Sequence, residues 1–439
     1  MAIDLIIHSA NQVLTLAGDV PRRGATQGDL AIIRDGAVAI GGEKIVAVGD
    51  TLDVLALADG RTRKIDAHGK IVLPGFVDAH THAVFANDRA DEFEMRLQGA
   101  SYLDIQKAGG GIMSTVRATR AAALDDLVAQ SRARLDRILT HGTTTAEVKT
   151  GYGLEIAAEL KMLDAIAALA AEHALDLVPT FLGAHVVPEE FKGREEEYVT
   201  LVVEEMLPAL DARRKTEGIK YPASIFQPPS FCDVFCDDGA FTLAQTRRIL
   251  TRAQALGFGL RVHADEFANL GAAALAAELG AASADHLMVT RRGEMRALAQ
   301  ANVVAVLLPG TTFGLGKTNF ADGRAFIGEN VPVALGSDLN PGTCWCESMP
   351  FILALACRYI KLTPGEAIVA ATLNAAYSLG FADQVGSLAA GKFADVLIAD
   401  VPDYRHLTYR FGGNPIETVI KRGRICALTR PEYGGKVPM

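Results

Sequence analysis

The rhythm of apolar and polar positions changes twice along the chain. Residues 1–70 hold short apolar or alternating runs at 5–7, 12–16, 30–33, 37–40 and 44–48. Gly18, Gly36, Gly41, Gly42 and Gly49 fall between them. Runs of that length cut by glycine predict strands joined by tight turns. The same rhythm returns at 394–399, 417–420 and 424–428, with Gly386, Gly391 and Gly423 at the turns. One small β-sandwich domain built from both chain ends, 1–70 and 381–439, is expected around a larger unit at 71–380.

In that larger unit apolar strand-length runs alternate with long helical segments. The expected strands are 71–78, 143–148, 177–183, 231–236, 258–264, 282–287, 303–308 and 332–337. Strand–helix alternation implies parallel β/α units, and eight strands suffice to close a (β/α)8 TIM-like barrel, so the fold class is α/β. Leu124, Leu127, Val128, Leu135, Ile138 and Leu139 recur at helical spacing, and Gly142 follows as a stop. Thr242 with Gln245, and Thr363 with Glu366 after Pro364, read as capping boxes at helix starts. Residues 186–230 break the alternation and read as a helix-containing excursion with loops.

Composition narrows the class. The chain has 439 residues, 49% hydrophobic and 22% charged, which suits a globular protein with a large core. A net charge of -9 argues against nucleic acid as a partner. The first twenty residues hold Asp4 and no Lys or Arg, unlike a secretory signal. The apolar stretch 165–187 is broken by Glu172, His173 and Asp176, so no membrane span is expected. The six cysteines read as reduced thiols of a cytoplasmic protein. Cys232/Cys236 and Cys344/Cys346 both lack the two-residue gap common in structural zinc sites.

Candidate chemistry falls at the carboxyl ends of the expected strands, where barrels of this kind carry their active sites. The first strand ends in His80 and His82, whose spacing of two aims both imidazoles to one side. The others lead to Glu147 and Lys149, His185, His263 with Glu266, Asp285 with His286, and Ser337 with Asp338. A lone histidine at a strand end is more often a satisfied polar residue than a ligand. Two at this spacing, joined by His263 and Asp338 at matching ends, point to zinc or iron. Such an ion keeps a position open for water and lowers the pKa of that water. Glu266 is the expected proton shuttle, and His286 the group that polarises a scissile carbonyl. Asp338 is expected both to ligate the ion and to take a proton from water. Asp285 reads as a helix cap or a bystander. His8, His68, His141, His173 and His406 are assigned no role. Gly109-Gly110-Gly111 lacks the Lys-Ser/Thr of a phosphate loop and reads as a mobile or ligand-covering loop.

These motifs, in this order, resemble the amidohydrolase superfamily over nearly the full chain. Pro74 to His82, His263, His286, the Ser337-Asp338 turn, Thr363 to Ala376 and Gly386 to Leu397 carry the resemblance. Binuclear members bridge two metals with a carboxylated lysine at the end of strand four. Cys232-Asp-Val-Phe-Cys236 has no lysine, so one ion per chain is implied. Phe85 to Arg89, Gly109 to Ile112, Thr150 to Gly153, Leu182 to His185, His263 to Glu266 and Ser337 to Thr343 resemble, more narrowly, the imidazolonepropionase family. That resemblance implies hydrolytic opening of the small molecule 4-imidazolone-5-propanoate to N-formimino-glutamate. It also implies zinc or iron on His80, His82, His263 and Asp338. Arg89, Tyr152, His185, Glu266, Asn340, Gly342 and Thr343 would contact substrate or product. A guanidinium at Arg89 suits a propanoate tail, although by its neighbours alone Arg89 reads as a surface residue balanced by Asp88 and Asp91. The resemblance leaves a homodimer open.

Two other readings compete. One is a mononuclear deaminase of a nucleobase-like ring, with the same metal and glutamate. The other is an inactive barrel scaffold, which the full ligand set argues against. A nucleophile at Cys344 or Cys346 would need an activating base that the sequence does not show, and no Gly-x-Ser-x-Gly elbow is present.

Overall fold

The computed structural model describes residues 2–100, 104–105, 108–216 and 231–428. Its strands form two sheets. The first is mixed and draws on both chain ends: β1 (Leu5–Leu14), β2 (Ile32–Gly41), β3 (Lys44–Asp50), β4 (Arg63–Asp66) and β5 (Ile71–Pro74). The second is wholly parallel and follows chain order: β6 (Phe76–Asp78), β7 (Thr143–Lys149), β8 (Asp176–Ala184), β9 (Phe231–Cys236), β10 (Gly259–Ala264), β11 (Ser283–His286), β12 (Val304–Leu307) and β13 (Val333–Leu335). The chain then returns to the first sheet as β14 (Val396–Ala399), β15 (Ile416–Lys421) and β16 (Arg424–Leu428).

The expected strand 71–78 is two strands. β5 pairs with β1 and β14 in the mixed sheet, whereas β6 pairs with β7 in the barrel. The switch falls at Gly75, where any Cβ would collide with the Thr144 side chain. Glycine lets the backbone pass that close. The runs 5–7 and 12–16 merge into one strand, β1, and 30–33 and 37–40 into one strand, β2. β4 and the helices Thr51–Leu55 and His406–Tyr409 were not anticipated, each being too brief to show periodicity.

The mixed sheet curls over its own core. Leu5, Ile7, Val38, Ile40 and Ile45 from one limb pack with Val396, Ile398 and Ile420 from the other. The Ile45 N–H donates to Lys392 O and the Gly391 N–H to Ile45 O, both at 2.9 Å. The two limbs therefore enclose one apolar layer, as a small sandwich does.

The barrel closes through its first and last strands. The Asp338 N–H donates to His80 O (2.9 Å), the His82 N–H to Leu339 O (2.8 Å), and the Ser337 N–H to Asp78 Oδ1 (2.8 Å). Both expected capping boxes are present, at Thr242 and Thr363, and Leu124–Thr140 is a helix. The excursion after β8 holds helices through residue 216, and residues 217–230 lie outside the described residues. A π-helical turn, Val202–Met206, precedes Pro208, which cannot donate a backbone hydrogen bond.

Lys421 joins the two sheets. Its Nζ lies 2.7 Å from Asp176 at the start of β8 and 2.5 Å from Asp395, and the side chain is buried. Removing one partner of such a cluster leaves uncompensated buried charge. Lys421→Met is expected to lower unfolding stability by about 3–5 kcal/mol. Urea unfolding of the variant beside the parent chain checks this.

Candidate active site

Five strand ends bring their side chains together at one end of the barrel. Extended backbone puts His80 and His82 on one side, and Thr81 turns away to donate to Glu147 O at 2.5 Å. His80 Nε2 and His82 Nε2 are 3.3 Å apart, and His263 Nε2 is 3.4 Å from His82 Nε2. Asp338 Oδ1 lies 3.5 Å from both His80 Nε2 and His82 Nε2. A four-coordinate ion with bonds of about 2.1 Å spaces its ligand atoms about 3.4 Å apart. His80, His82 and Asp338 meet that spacing, as does His263 with His82, so the cluster suits a metal ion. His286 also lies close enough to His80 and His263 for the three to share an ion. Asp338 and His286 adopt left-handed backbone, φ 52° and 74°, where residues with side chains are rare.

Buried carboxylates orient the imidazoles. The Nδ1–H of His80 donates to Asp285 Oδ2 at 2.7 Å, leaving the Nε2 lone pair for the shared point. His263 Nδ1 faces Asp233 Oδ2 at 2.9 Å. Lys149 Nζ bonds Asp233 (2.7 Å) and Glu147 (2.8 Å), and Arg261 Nε lies 2.9 Å from Glu147 Oε1. Glu147, Lys149, Asp233, Arg261 and Asp285 have no solvent exposure. Counting Asp338, four carboxyl groups face two cations, a surplus that favours a cation beside them. Asp285 is thus neither a cap nor a bystander: the next helix starts at Arg292, and Asp285 fixes His80 instead. Sequence reading also passed over Asp233 and Arg261. Their signal was a charged residue inside an otherwise apolar strand.

Burial sets the protonation of the cluster. It pushes His80, His82 and His286 well below the ordinary histidine value, with Lys149 and neighbouring imidazoles adding to the effect. Burial lowers His185 to about 3. The Nδ1–H of His185 donates to Gly151 O at 3.0 Å, so its Nε2 is an acceptor. Burial, then the nearby Asp338, raises Glu266 well above the carboxylate range, and burial raises Asp338 to about 6. A bound cation opposes that rise at Asp338. Glu266 Oε2 lies 3.7 Å from His286 Nε2.

Every residue expected in the site except His80 lines one cavity of about 850 Å³. That volume suits a small-molecule ligand. Its loops are held by carboxylates that accept backbone N–H groups. Glu159 takes those of Gly153 and Leu154, both at 2.8 Å, and so holds the Tyr152 turn. Asp237 takes those of Glu266, Phe267 and Ala268, all at 2.9 Å. The Asn340 Oδ1 accepts from the N–H groups of Gly342 (2.8 Å) and Thr343 (2.7 Å) and so shapes its own loop. Arg89 pairs with Glu92 at 2.8 Å, not with Asp88 or Asp91, and its Nη1 lies where a Cβ on Gly342 would stand. Glu92 also accepts from the Gly111 N–H and the Ser114 hydroxyl, both at 3.0 Å, which ties down the glycine loop. Cys346 and burial raise the Cys344 thiol well above its ordinary value, while Cys344 in turn lowers Cys346; the two Sγ atoms lie against Ser337 O and Ser348 O.

Losing the acceptor behind a metal-facing imidazole weakens such a site by about 10- to 100-fold. Asp285→Asn is expected to lower metal affinity by that factor, read by chelator competition on the purified protein.

Residues 71–426 match the amidohydrolase family. The imidazolonepropionase of Herpetosiphon aurantiacus is 50% identical over 422 residues, covering 95% of this chain and 97% of that protein. The imidazolonepropionase of Symbiobacterium thermophilum is 51% identical, covering 96% and 97%. Among solved structures, an adenosine deaminase from Xanthomonas campestris with bound zinc superposes with a TM-score of 0.71 at 19% identity, covering 99% of this chain and 95% of that one. The guanine deaminase of E. coli also gives 0.71, at 17% identity, covering 97% and 99%. At that identity the likeness concerns the fold, and the His/Asp cluster together with the family supports a metal cofactor. The chain belongs to the amidohydrolase family, on its imidazolonepropionase branch.

Proposed function

We propose that this chain hydrolyses the cyclic amide C–N bond of 4-imidazolone-5-propanoate, releasing N-formimino-L-glutamate. The observation that carries the reading is full-length similarity, at 44–51% identity, to relatives named imidazolonepropionase. His80, His82, His263 and Asp338 would hold one zinc or iron ion, since β9 offers no lysine to bridge a second. When bound, the ion supplies Lewis acidity and makes water a stronger acid at neutral pH.

The chain's own groups divide the remaining work. Asp338 takes a proton from the attacking water. Glu266, protonated by its buried setting, passes a proton to the ring nitrogen as the C–N bond breaks. His286, beside Glu266, faces the scissile carbonyl and polarises it. His185 presents its Nε2 acceptor to a ring N–H, and Tyr152 packs near His82 and His185, with ring centroids 5.9 and 5.5 Å away. Arg89 meets the propanoate, and the Asn340, Gly342 and Thr343 loop lines the cavity beside it.

Incubation with 4-imidazolone-5-propanoate should consume the ring absorbance in a sample that contains metal. Ammonia released from a nucleobase ring, with the imidazolone untouched, would make the chain a deaminase. Protein that neither holds nor takes up metal would make it a scaffold. His263→Ala is expected to lose metal and turnover together, as metal analysis and the same assay would show. Glu266→Gln should retain metal and lose roughly a hundred- to ten-thousand-fold in kcat. Full turnover in that variant removes Glu266 from the proton path.

A further inference from the structure

Arg89 is poorly placed to bind a carboxylate alone. Its Nε and Nη2 both lie 2.8 Å from Glu92 Oε2, so the edge of the guanidinium best suited to a carboxylate is occupied. Glu92 is itself immobilised, because its other oxygen accepts from Gly111 and Ser114. What Arg89 has left faces Gly342.

A second guanidinium stands beside it. Arg96 lies on the helix Ala90–Leu97, seven residues after Arg89, which caps its N-terminus. It lines the same cavity. Its Nη2 donates to Gly342 O at 3.1 Å, so both arginines reach the same residue of the strand-eight loop. Among the described residues the Arg96 guanidinium makes no ion pair within 4.0 Å and no other hydrogen bond, and its Cζ lies 6.0 Å from the Phe93 ring. Among the described residues, Glu92 is the carboxylate paired at this part of the wall, beside two guanidinium charges. Burial and the nearby Arg89 both press Arg96 toward its uncharged form, the condition that an incoming anion relieves.

We infer that Arg96 is a specificity-determining residue that shares the substrate's carboxylate with Arg89, Arg96 offering unused N–H donors and Arg89 its Nη1 edge. The inference rests on the imidazolonepropanoate reading and adds to it where the tail is held. The other cation on the cavity wall, Lys317, lies over the Phe267 ring at 4.3 Å and favours the ionised form of Glu266. That places it with the proton-moving carboxyl and makes it the rival anchor.

The test uses the metal-loaded enzyme with 4-imidazolone-5-propanoate and with its uncharged propanamide. Arg96→Ala should raise KM for the propanoate about ten-fold or more, the loss of a charged hydrogen bond, and leave kcat within about two-fold. For the propanamide, KM should differ by less than about two-fold between parent and variant, and Arg96→Lys should recover part of the propanoate loss. An unchanged KM in Arg96→Ala overturns the inference. So does an equal loss on both compounds, which would signal packing, or a charge-dependent loss found in Lys317→Ala instead. Calorimetric binding of 3-(imidazol-4-yl)propanoate and its amide separates this from the reaction itself. If the parent does not turn over imidazolonepropanoate, a charge-selective affinity lost in Arg96→Ala still upholds the role of Arg96. Equal affinity of parent and variant for the acid overturns it.

Discussion

Charge buried without solvent is the constraint around which the molecule is arranged. Lys149 and Arg261 stand at the barrel centre with Glu147, Asp233 and Asp285, all without exposure. Each would cost several kcal/mol to desolvate alone. They persist because every one has partners, and because the strands hold those partners in register. The same network aims the imidazoles: Asp285 holds His80, and Asp233, itself bonded to Lys149, faces His263. Its excess of negative charge makes a cation above it electrostatically welcome. The metal-facing cluster is therefore the upper layer of a polar core, in a barrel type whose interior is usually apolar.

Barrel closure does a second task. The hydrogen bonds that seal β6 to the segment after β13 run through His80, His82, Asp338 and Leu339. Closing the sheet and juxtaposing the cluster are thus one event. The surrounding loops are fastened by one repeated device, a buried carboxylate accepting several backbone N–H groups. Glu159 does this under Tyr152, Asp237 under Glu266, and Asp78 reaches Ser337. Such fixtures hold reacting groups on rigid backbone without mobile side-chain supports.

Deaminases share this fold at low identity, so the barrel alone does not select the substrate. Under the proposed function, selection lies in the cavity wall. A neutral His185 with an acceptor toward the cavity suits a ring N–H, and an arginine-bearing helix suits an anionic tail. Gly342 belongs to that wall for a steric reason, since any side chain there displaces Arg89.

Much of this was legible in the chain itself. Period-two spacing set His80 and His82 on one side, because backbone alternation is a local property. Eight strand-length runs, two capping boxes and the paired β-rich ends are likewise written within a few residues of each other, and the expected barrel and split sheet follow from them. Tertiary structure alone decided the rest. Gly75 splits one apolar run between two sheets because Thr144, distant in sequence, leaves no room for a Cβ. Arg89 is paired with Glu92 and not with its nearer acidic neighbours, because the helix turns Glu92 back toward it. Asp285 and Asp233 became partners of His80 and His263 through strand register. Periodicity tells which residues point inward, and only the closed barrel determines which of those inward charges meet.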